Sequence, residues 1–413
     1  MERMAEAVPN TNDQAYQHFL SVSPWEEDAV IDQHCRDTNE LIGGKKDSCI
    51  LIDETSFPKK GRDSVGVAHQ YCGQKGKIDN CQVGVFAVLA HQIHIALLDG
   101  RLFLPKSWAD DKERCRSVGV PEEFIEYQRK QDLALQLVLA ARLRGVEFNW
   151  VGFDAFYGSD PGFLRFLNDM GEIFVGDIRG NQRIYLENPK PFIPDQKSKK
   201  GRRPTRLKTK IKPIRVDHWA KQQDNDSWVK LNVRDSSKGK LKVAVLHRRV
   251  WLWDGKEPNA QCWRLVVRKT IRSNETKYSI SNAPDLISLS RLVYMQGQRY
   301  LVERAFQDAK NQCGMGQYQA RGWRSWHHHM TMVMLAMQFM LSQQLKNSED
   351  FPLLDSNDIV ELLTHYLPDR KATEEEIFEQ LQTRHLKRQR AKESAYRKQF
   401  FKDQFDPDFN VTK

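Results

Sequence analysis

Two aspartates follow short apolar runs, and they are the first residues whose type and position could support chemistry. Asp53 ends the run CILI at 49–52, and Asp154 ends the run WVGF at 150–153. A carboxylate at the end of a buried strand is held rigidly and faces solvent, which suits Mg²⁺ because this ion prefers a few well-placed oxygen ligands. The alternative is that each aspartate only begins a turn, because aspartate is common where strands end.

The third candidate carboxylate is Glu303, in the segment QGQRYLVERAFQDAK. Arg299 lies four residues before it and Lys310 seven residues after it, so a helix would place these two supporting side chains along the same edge. Apolar residues at 302, 306 and 309 form an adjoining stripe that would pack on a sheet. The alternative is an exposed helix whose charges pair four residues apart.

Three carboxylates of this kind are suited to one type of reaction. Two metal ions held by them can activate a water or a 3′-hydroxyl at a phosphodiester and stabilise the leaving oxygen. Basic residues beside such a site would position the phosphates. The pattern therefore indicates phosphodiester chemistry on a nucleic acid.

Positive charge is abundant and clustered. The chain has 413 residues, a formal net charge of +10 and 40% hydrophobic residues, which indicates a globular protein with an anionic partner, nucleic acid first. Between positions 196 and 215, ten of twenty residues are Lys or Arg and none is acidic, so this segment is either a solvated loop or an arm that follows DNA phosphates. The predicted DNA contacts are Lys59, Lys60, Arg62, Lys199, Lys200, Arg202, Arg203 and Arg206.

The cysteines and the apolar stretches bear on location. The seven cysteines are scattered without a C-x-x-C pair, which argues against a disulfide framework and a zinc ribbon and fits a reducing cytoplasm. The N-terminal residues have no apolar core of a signal peptide, and the most apolar stretch, 330–341, is too short to span a bilayer. A cytoplasmic protein without a membrane segment is expected.

The elements that must position these residues follow from periodicity. Strands are predicted at 49–52, 82–89, 94–98, 147–153 and 172–175, and helices at 121–144 and 162–168. Three strands, a helix, a strand, a helix and a strand is the order of a ribonuclease H-like sheet, an α/β order that other folds share. In that sheet the strands before Asp53 and Asp154 are neighbours, and a divalent cation would relieve the repulsion between the two carboxylates.

Composition divides the chain into five predicted parts. A mixed sheet flanked by helices forms the catalytic domain, which a β-rich insertion with the basic arm interrupts. The tail helix is expected to begin at a capping box formed by Thr373 and Glu376. The parts are a helical segment at 1–42, the first catalytic part at 43–182, the insertion at 183–288, the second catalytic part with the Glu303 helix at 289–346 and a helical basic tail at 347–413.

These segments resemble a known family. LIDETSFPKKGRDSVGVAHQYCGQKGKIDNCQVGV, WVGFDAFYG and RYLVERAFQDAK, followed by GQYQARGWRSWHHH, are similar to the catalytic blocks of DDE transposases of bacterial insertion sequences. Within these transposases, the sequence is most similar to the IS-seven-hundred-and-one type of the IS-four-like group. The resemblance covers about residues 1–400. The signature of the broader group is Y-x2-R-x3-E-x6-K, and this chain supplies Arg299, Glu303 and Lys310, with Gln296 at the tyrosine position.

The resemblance implies a metal-dependent DNA endonuclease and strand transferase with a ribonuclease H-like fold. Asp53, Asp154 and Glu303 would hold two Mg²⁺ ions, or Mn²⁺ in their place, to cut transposon ends and join them to target DNA. A homodimer on double-stranded DNA, in a bacterial nucleoid, follows because two ends must be joined. Some relatives hold a flipped base against an aromatic of the insertion, for which Trp251 and Trp253 are candidates.

Two other functions stay open. One is a transposase-derived protein that binds DNA without cutting it, and the other is a nuclease of the same fold without strand transfer. In the family, helical DNA-binding sequence usually precedes the segment that begins this chain, which implies a shorter N-terminal part and favours the first alternative. The presence of Asp53, Asp154 and Glu303 argues against it.

Overall fold

The computed structural model describes residue 8 and residues 12–196, 203–233, 242–271, 275–367 and 373–404. Two compact units divide the chain: the larger comprises Leu20–Leu362, and the smaller combines Met1–Phe19 with Leu363–Lys413. The predicted DNA contacts Lys199, Lys200 and Arg202 lie outside the described residues.

The described residues form twelve strands and thirteen α-helices. The strands are β1 (Cys49–Pro58), β2 (Ala68–Cys72), β3 (Lys77–His91), β4 (His94–Leu102), β5 (Val151–Phe153), β6 (Phe174–Ile178), β7 (Arg183–Ile184), β8 (Ile214–Arg215), β9 (Val229–Asn232), β10 (Lys242–Leu252), β11 (Gln261–Thr270) and β12 (Thr276–Ser281). The α-helices of the described residues are α1 (Asp13–Ser21), α2 (Glu27–Ile42), α3 (Lys106–Ala109), α4 (Lys112–Ser117), α5 (Lys130–Leu143), α6 (Ala155–Gly158), α7 (Pro161–Asp169), α8 (Val216–Lys221), α9 (Leu289–Gln298), α10 (Tyr300–Asn311), α11 (Trp323–Lys346), α12 (Ser356–Tyr366) and α13 (Glu374–Gln404).

One large mixed sheet runs through the larger unit. Its order is β2-β3-β1-β5-β6-β12-β11-β10-β9, and β4 pairs with the other end of β3. Strands β1, β5 and β6 are parallel to one another, whereas β3 is antiparallel to β1. A large mixed sheet flanked by helices confirms the predicted ribonuclease H-like α/β fold class.

Side chains alternate between the two faces of β1, and both faces are covered by other parts of the protein. Ile50 and Ile52 join the core cluster that includes Leu133 and Leu137 of α5. On the opposite face, Phe86 of β3 packs against Phe306 of α10 and Trp326 of α11. This two-sided packing explains why the strand begins as a continuous apolar run.

The β-rich segment extends the same sheet. Strand β12 pairs antiparallel with β6, and β11, β10 and β9 follow in order. Only β7 and β8 form a separate two-stranded sheet among the described strands. The boundaries 183 and 288 of the insertion stay a prediction.

Several predicted boundaries are wrong. Strand β1 continues to Pro58, so Asp53 lies in the middle of β1 and does not end the strand. In the pairing with β3, Asp53 stands opposite Phe86. The apolar run stops at the first charge, but backbone pairing with β3 continues beyond it. The helix predicted from residue 121 begins at Lys130, because residues 122–124 form a 3₁₀ turn after Pro121.

Two further strands differ from the prediction. Strand β6 ends at Ile178 and not at residue 175, so it includes a carboxylate that the prediction left out. Strand β2 was not predicted, because its sequence AHQYC is short and lacks an apolar run.

In the smaller unit, α13 begins at the predicted capping box. The Thr373 hydroxyl accepts a hydrogen bond from the Glu376 N–H at 3.3 Å, and the Glu376 carboxylate accepts one from the Thr373 N–H at 3.1 Å. These reciprocal bonds satisfy backbone groups that a helix start leaves without partners, which confirms the predicted start.

Gly158→Ala tests the close packing of α6 on β6. An added Cβ would lie 2.0 Å from the backbone carbonyl oxygen of Asp177, so the strand or the helix must shift. We expect the free energy of unfolding to fall by about 1–3 kcal/mol in urea titrations. Gly73→Ala is the control, because a Cβ there meets nothing within 4 Å. Equal stabilities of the two variants would contradict this close approach.

Candidate active site

Three aspartates form a row across neighbouring parallel strands. The register places Ile52 of β1 beside Phe153 of β5, and Phe153 beside Gly176 of β6. Residues at the same level on adjacent strands point to the same face of a sheet. The next residue on each strand is an aspartate, so one face carries Asp53, Asp154 and Asp177.

Asp53 is largely buried beside both negative and positive charge. Its Oδ1 accepts a hydrogen bond from the Glu54 N–H at 2.8 Å, and its Oδ2 lies 3.7 Å from Nη1 of Arg299. Burial, followed by the negative charge of Asp154, raises the pKa of Asp53 to about 7, although the Glu54 N–H and Arg299 act in the opposite direction. This carboxyl therefore resists ionisation until a positive charge approaches it.

Asp154 sits where β5 turns into α6. Its Oδ1 accepts hydrogen bonds from the N–H groups of Phe156 at 2.9 Å and Tyr157 at 3.4 Å, which fixes the side chain as a helix cap. Both bonds use the same oxygen. Asp154 therefore begins a turn, as an aspartate at a strand end often does, and it also lies beside Asp53, whose pKa its charge raises.

Arg299 connects three carboxylates through its three guanidinium nitrogens. Nη2 lies 2.9 Å from Oε1 of Glu303, and Nε lies 3.1 Å from Oδ2 of Asp177. The third nitrogen is the one nearest Asp53. The structure thus brings Glu303 to the aspartate row through a shared arginine, and the predicted pair four residues apart on the helix is also present.

Asp177 was missed by the sequence prediction, which ended its strand at residue 175. A signal for it does exist in the sequence. Each of the three parallel strands has an apolar run that leads into an aspartate, in LID at 51–53, VGFD at 151–154 and FVGD at 174–177.

Glu54, the acid that follows Asp53 in the sequence, lies on the opposite face of β1 because side chains alternate along a strand. Its Oε1 is 2.8 Å from Nζ of Lys130, at the start of α5. Glu54 is therefore paired within the core side of the sheet and is separate from the aspartate row.

The side chain of Lys310 contacts β1 two residues after Asp53. Its Nζ donates a hydrogen bond to Oγ1 of Thr55 at 2.7 Å, and burial lowers its pKa. Lys59 is similarly held, with Nζ 2.6 Å from the Tyr318 carbonyl oxygen, and burial lowers its pKa to about 8. Both lysines line a cavity of about 740 Å³ at the end of β1, together with Lys60 and Arg321.

The other predicted DNA contacts occupy different places. Arg62, Arg203 and Arg206 are exposed, the last two between β7 and β8. Trp251 lies in β10, and its backbone bonds to that of Tyr185. The indole N–H of Trp253 donates to the Glu257 carbonyl oxygen at 2.7 Å, which fixes this ring at the end of β10. None of these positions is joined to the aspartate row by a described contact.

The carboxylates around Arg299 offer oxygen ligands of the kind that a divalent metal ion binds. Among the described residues, no three Asp, Glu, His or Cys side chains are grouped closely enough to hold a metal ion. Arg299 bridges Asp53 and Glu303, and the side chain of Glu303 is 63% exposed. The donor set nevertheless fits a hard divalent cation, because it offers carboxylate oxygens and a charge repulsion that such an ion would relieve.

Comparison with known proteins identifies the class. Residues 1–240 match the family described as DDE superfamily endonuclease, which is more than half of the chain, so the chain belongs to this family. Endonucleases of this superfamily generally use divalent metal ions. The match ends before Glu303, so it covers the two predicted catalytic aspartates and not the glutamate.

Part of the chain is also similar to a named transposase. The chain is 27% identical over 191 residues to the probable transposase for insertion sequence element IS701 of Microchaete diplosiphon. The alignment covers 45% of this chain and 46% of the relative, so the chain spans just under half the length of that protein in the comparison. No helix of the described residues is long and apolar enough to cross a membrane.

Asp53→Asn tests the electrostatic strain in the row. An aspartate with a pKa of about 7 in the folded protein, against about 3.9 when unfolded, makes folding less favourable as pH rises from about 4 to 7. Without divalent cations, the variant should be more stable than wild type above pH 7, by up to about 4 kcal/mol for a shift of about three pKa units. Urea unfolding at several pH values measures the difference.

The control for this experiment is Asp350→Asn, on an exposed turn after α11. Its stability relative to wild type should not follow the same pH dependence. If the advantage of Asp53→Asn over wild type is equal at pH 4 and pH 8, the raised pKa of Asp53 is contradicted.

Proposed function

We propose that this chain is a metal-dependent DDE transposase that cuts the ends of an insertion sequence and joins their 3′-hydroxyls to target DNA. The observation that supports the proposal is that Asp53 lies beside Asp154 and that Arg299 contacts both Asp53 and Glu303, in a member of the DDE superfamily endonuclease family. The likeness to the probable IS701 transposase supports transposition as the purpose of cleavage.

The three carboxylates would hold two Mg²⁺ ions, or Mn²⁺ in their place. When bound, these ions lower the pKa of the attacking water or 3′-hydroxyl and stabilise the leaving oxygen. Asp154 is oriented for this by the hydrogen bonds to its Oδ1. Burial and the charge of Asp154 disfavour the ionised form of Asp53, so a nearby cation would stabilise that form.

Positive side chains would position the DNA phosphates beside the carboxylates. Lys59 and Lys310 are held by hydrogen bonds to the Tyr318 carbonyl and Thr55, so their charges have fixed places. Lys60 and Arg321 line the same cavity and have more exposed side chains. A partly buried inner pair held by hydrogen bonds and an exposed outer pair suit a DNA strand that enters past the outer pair.

Further contacts with DNA are expected outside this cavity. Arg62, Arg203 and Arg206 would bind phosphates of the double-stranded ends or target, because all three are exposed. Trp251 or Trp253 would stack on a base. Since two ends must be joined in one event, the active form would be a homodimer.

Glu303→Gln tests the catalytic proposal. A labelled duplex with the element's own ends is incubated with Mg²⁺ or Mn²⁺, and cleavage is followed on a gel. Wild type should cut, and the variant should be at least about a hundredfold slower because a carboxylate ligand is lost. The alanine variants of Asp53 and Asp154 should behave alike, with DNA binding in EDTA retained.

Glu349→Gln, an exposed glutamate after α11, is the control and should cut as wild type does. Normal cleavage by any of the three site variants would show that its carboxylate is not catalytic. Tight DNA binding without cleavage by wild type would favour a protein that only binds DNA, and cleavage without joining would favour a nuclease.

The double variant Lys60→Ala, Arg321→Ala tests the cavity. Each phosphate contact contributes about 0.9 to the slope of log K against log salt, so the slope measured in EDTA should become shallower by about 1.8. The matched control is Lys221→Ala, Lys346→Ala, two exposed lysines on α8 and α11. An unchanged slope in the cavity variant would exclude phosphate binding there.

A further inference from the structure

A chain of buried polar contacts leads from the core to Arg299. The side-chain amide of Gln296 donates to the Ser279 hydroxyl at 2.5 Å, and that hydroxyl donates to Oδ1 of Asp177 at 2.5 Å. The other oxygen of Asp177 faces Nε of Arg299 at 3.1 Å. Ser279 is 0% exposed and Gln296 is 4% exposed, so both hydrogen bonds form away from water.

These contacts are specific because a buried polar group is costly without a partner. Ser279 stands directly opposite Asp177 in the pairing of β12 with β6, so the sheet register fixes their contact. Gln296 comes from α9 and occupies the position where the sequence signature has tyrosine. Together they hold one oxygen of Asp177 and leave the other directed at the arginine.

The three carboxylate partners of Arg299 are not equivalent. Asp53 and Glu303 are proposed metal ligands, and a guanidinium between them competes with a cation for the same oxygens. Asp177 is the partner that the proposed metal set does not use. It offers Arg299 a place to bind when the other two carboxylates are engaged.

We propose that Asp177, fixed by Ser279 and Gln296, is a positioning residue that draws Arg299 toward β6, so that Asp53 and Glu303 can take up divalent cations. The inference rests on the proposed function, because it assumes that these carboxylates bind the metal. If Asp177 is neutral, Arg299 keeps only Asp53 and Glu303 as close partners and competes more strongly with the cation.

A double-mutant cycle on the full chain tests the proposal without relying on catalysis. The affinity for Mn²⁺ is measured by isothermal titration calorimetry in the absence of DNA. Asp177→Asn should weaken Mn²⁺ binding about tenfold, as expected for an outer partner of metal ligands. In the Arg299→Gln background the same substitution should have no effect, because Asp177 acts through that arginine.

Two further variants complete the design. Ser279→Ala keeps the carboxylate but removes its fixed donor, so Mn²⁺ binding should weaken in the same direction even if Asp177→Asn folds poorly. The matched control is Asp254→Asn, which breaks another Arg–carboxylate pair, with Nη1 of Arg165 at 3.0 Å, and should leave Mn²⁺ affinity unchanged. Thermal unfolding in EDTA checks that each variant is folded.

The possible failures are distinguishable. If wild type binds Mn²⁺, Asp53→Asn abolishes binding and neither Asp177→Asn nor Ser279→Ala changes it, the positioning role is overturned and the metal site stands. An equal loss from Asp177→Asn with and without Arg299 would also overturn it, because Asp177 would then act independently. No Mn²⁺ binding by wild type would overturn the metal site itself and this inference with it.

Discussion

The arrangement of this active-site candidate depends on how one guanidinium balances several negative charges at a sheet surface. Parallel pairing of β1, β5 and β6 brings three aspartates to one level, where burial and the negative charge of Asp154 disfavour ionisation of Asp53. Arg299 offsets part of that cost because it reaches two of the aspartates and Glu303 at once. Arginine suits this position because its planar group presents several donors in fixed directions.

The same interaction links distant segments of the chain. Glu303 and Arg299 belong to the C-terminal part of the described fold, and the aspartates belong to strands far earlier in the sequence. The apolar side of α10 packs on the sheet through Phe306 against Phe86, which sets the height of the helix above β1. Hydrophobic packing thus determines which charged groups lie close together, and electrostatics determines how strongly Arg299 interacts with each carboxylate.

The sequence predicted the fold class and most of the central strands, because apolar runs bounded by charges mark strands that are buried on both faces. It also predicted that Asp53, Asp154 and Arg299 would meet. It did not predict that β1 continues beyond Asp53 or that β6 reaches Asp177, because backbone pairing with a neighbouring strand does not depend on side-chain hydrophobicity. The contact of Gln296 with Ser279 depends on tertiary placement of α9 against β12, which no local pattern encodes.

The pairing of β12 with β6 has a mechanical consequence. Backbone hydrogen bonds join β9, β10, β11 and β12 in sequence to β6, the strand that carries Asp177, so all five strands belong to one continuous ladder. Force applied to β9, β10 or β11 would be carried through β12 to β6 and Asp177. A slip of one residue in this ladder would turn Ser279 to the opposite face. The position of β12 and the charge balance at Arg299 are therefore linked through Asp177.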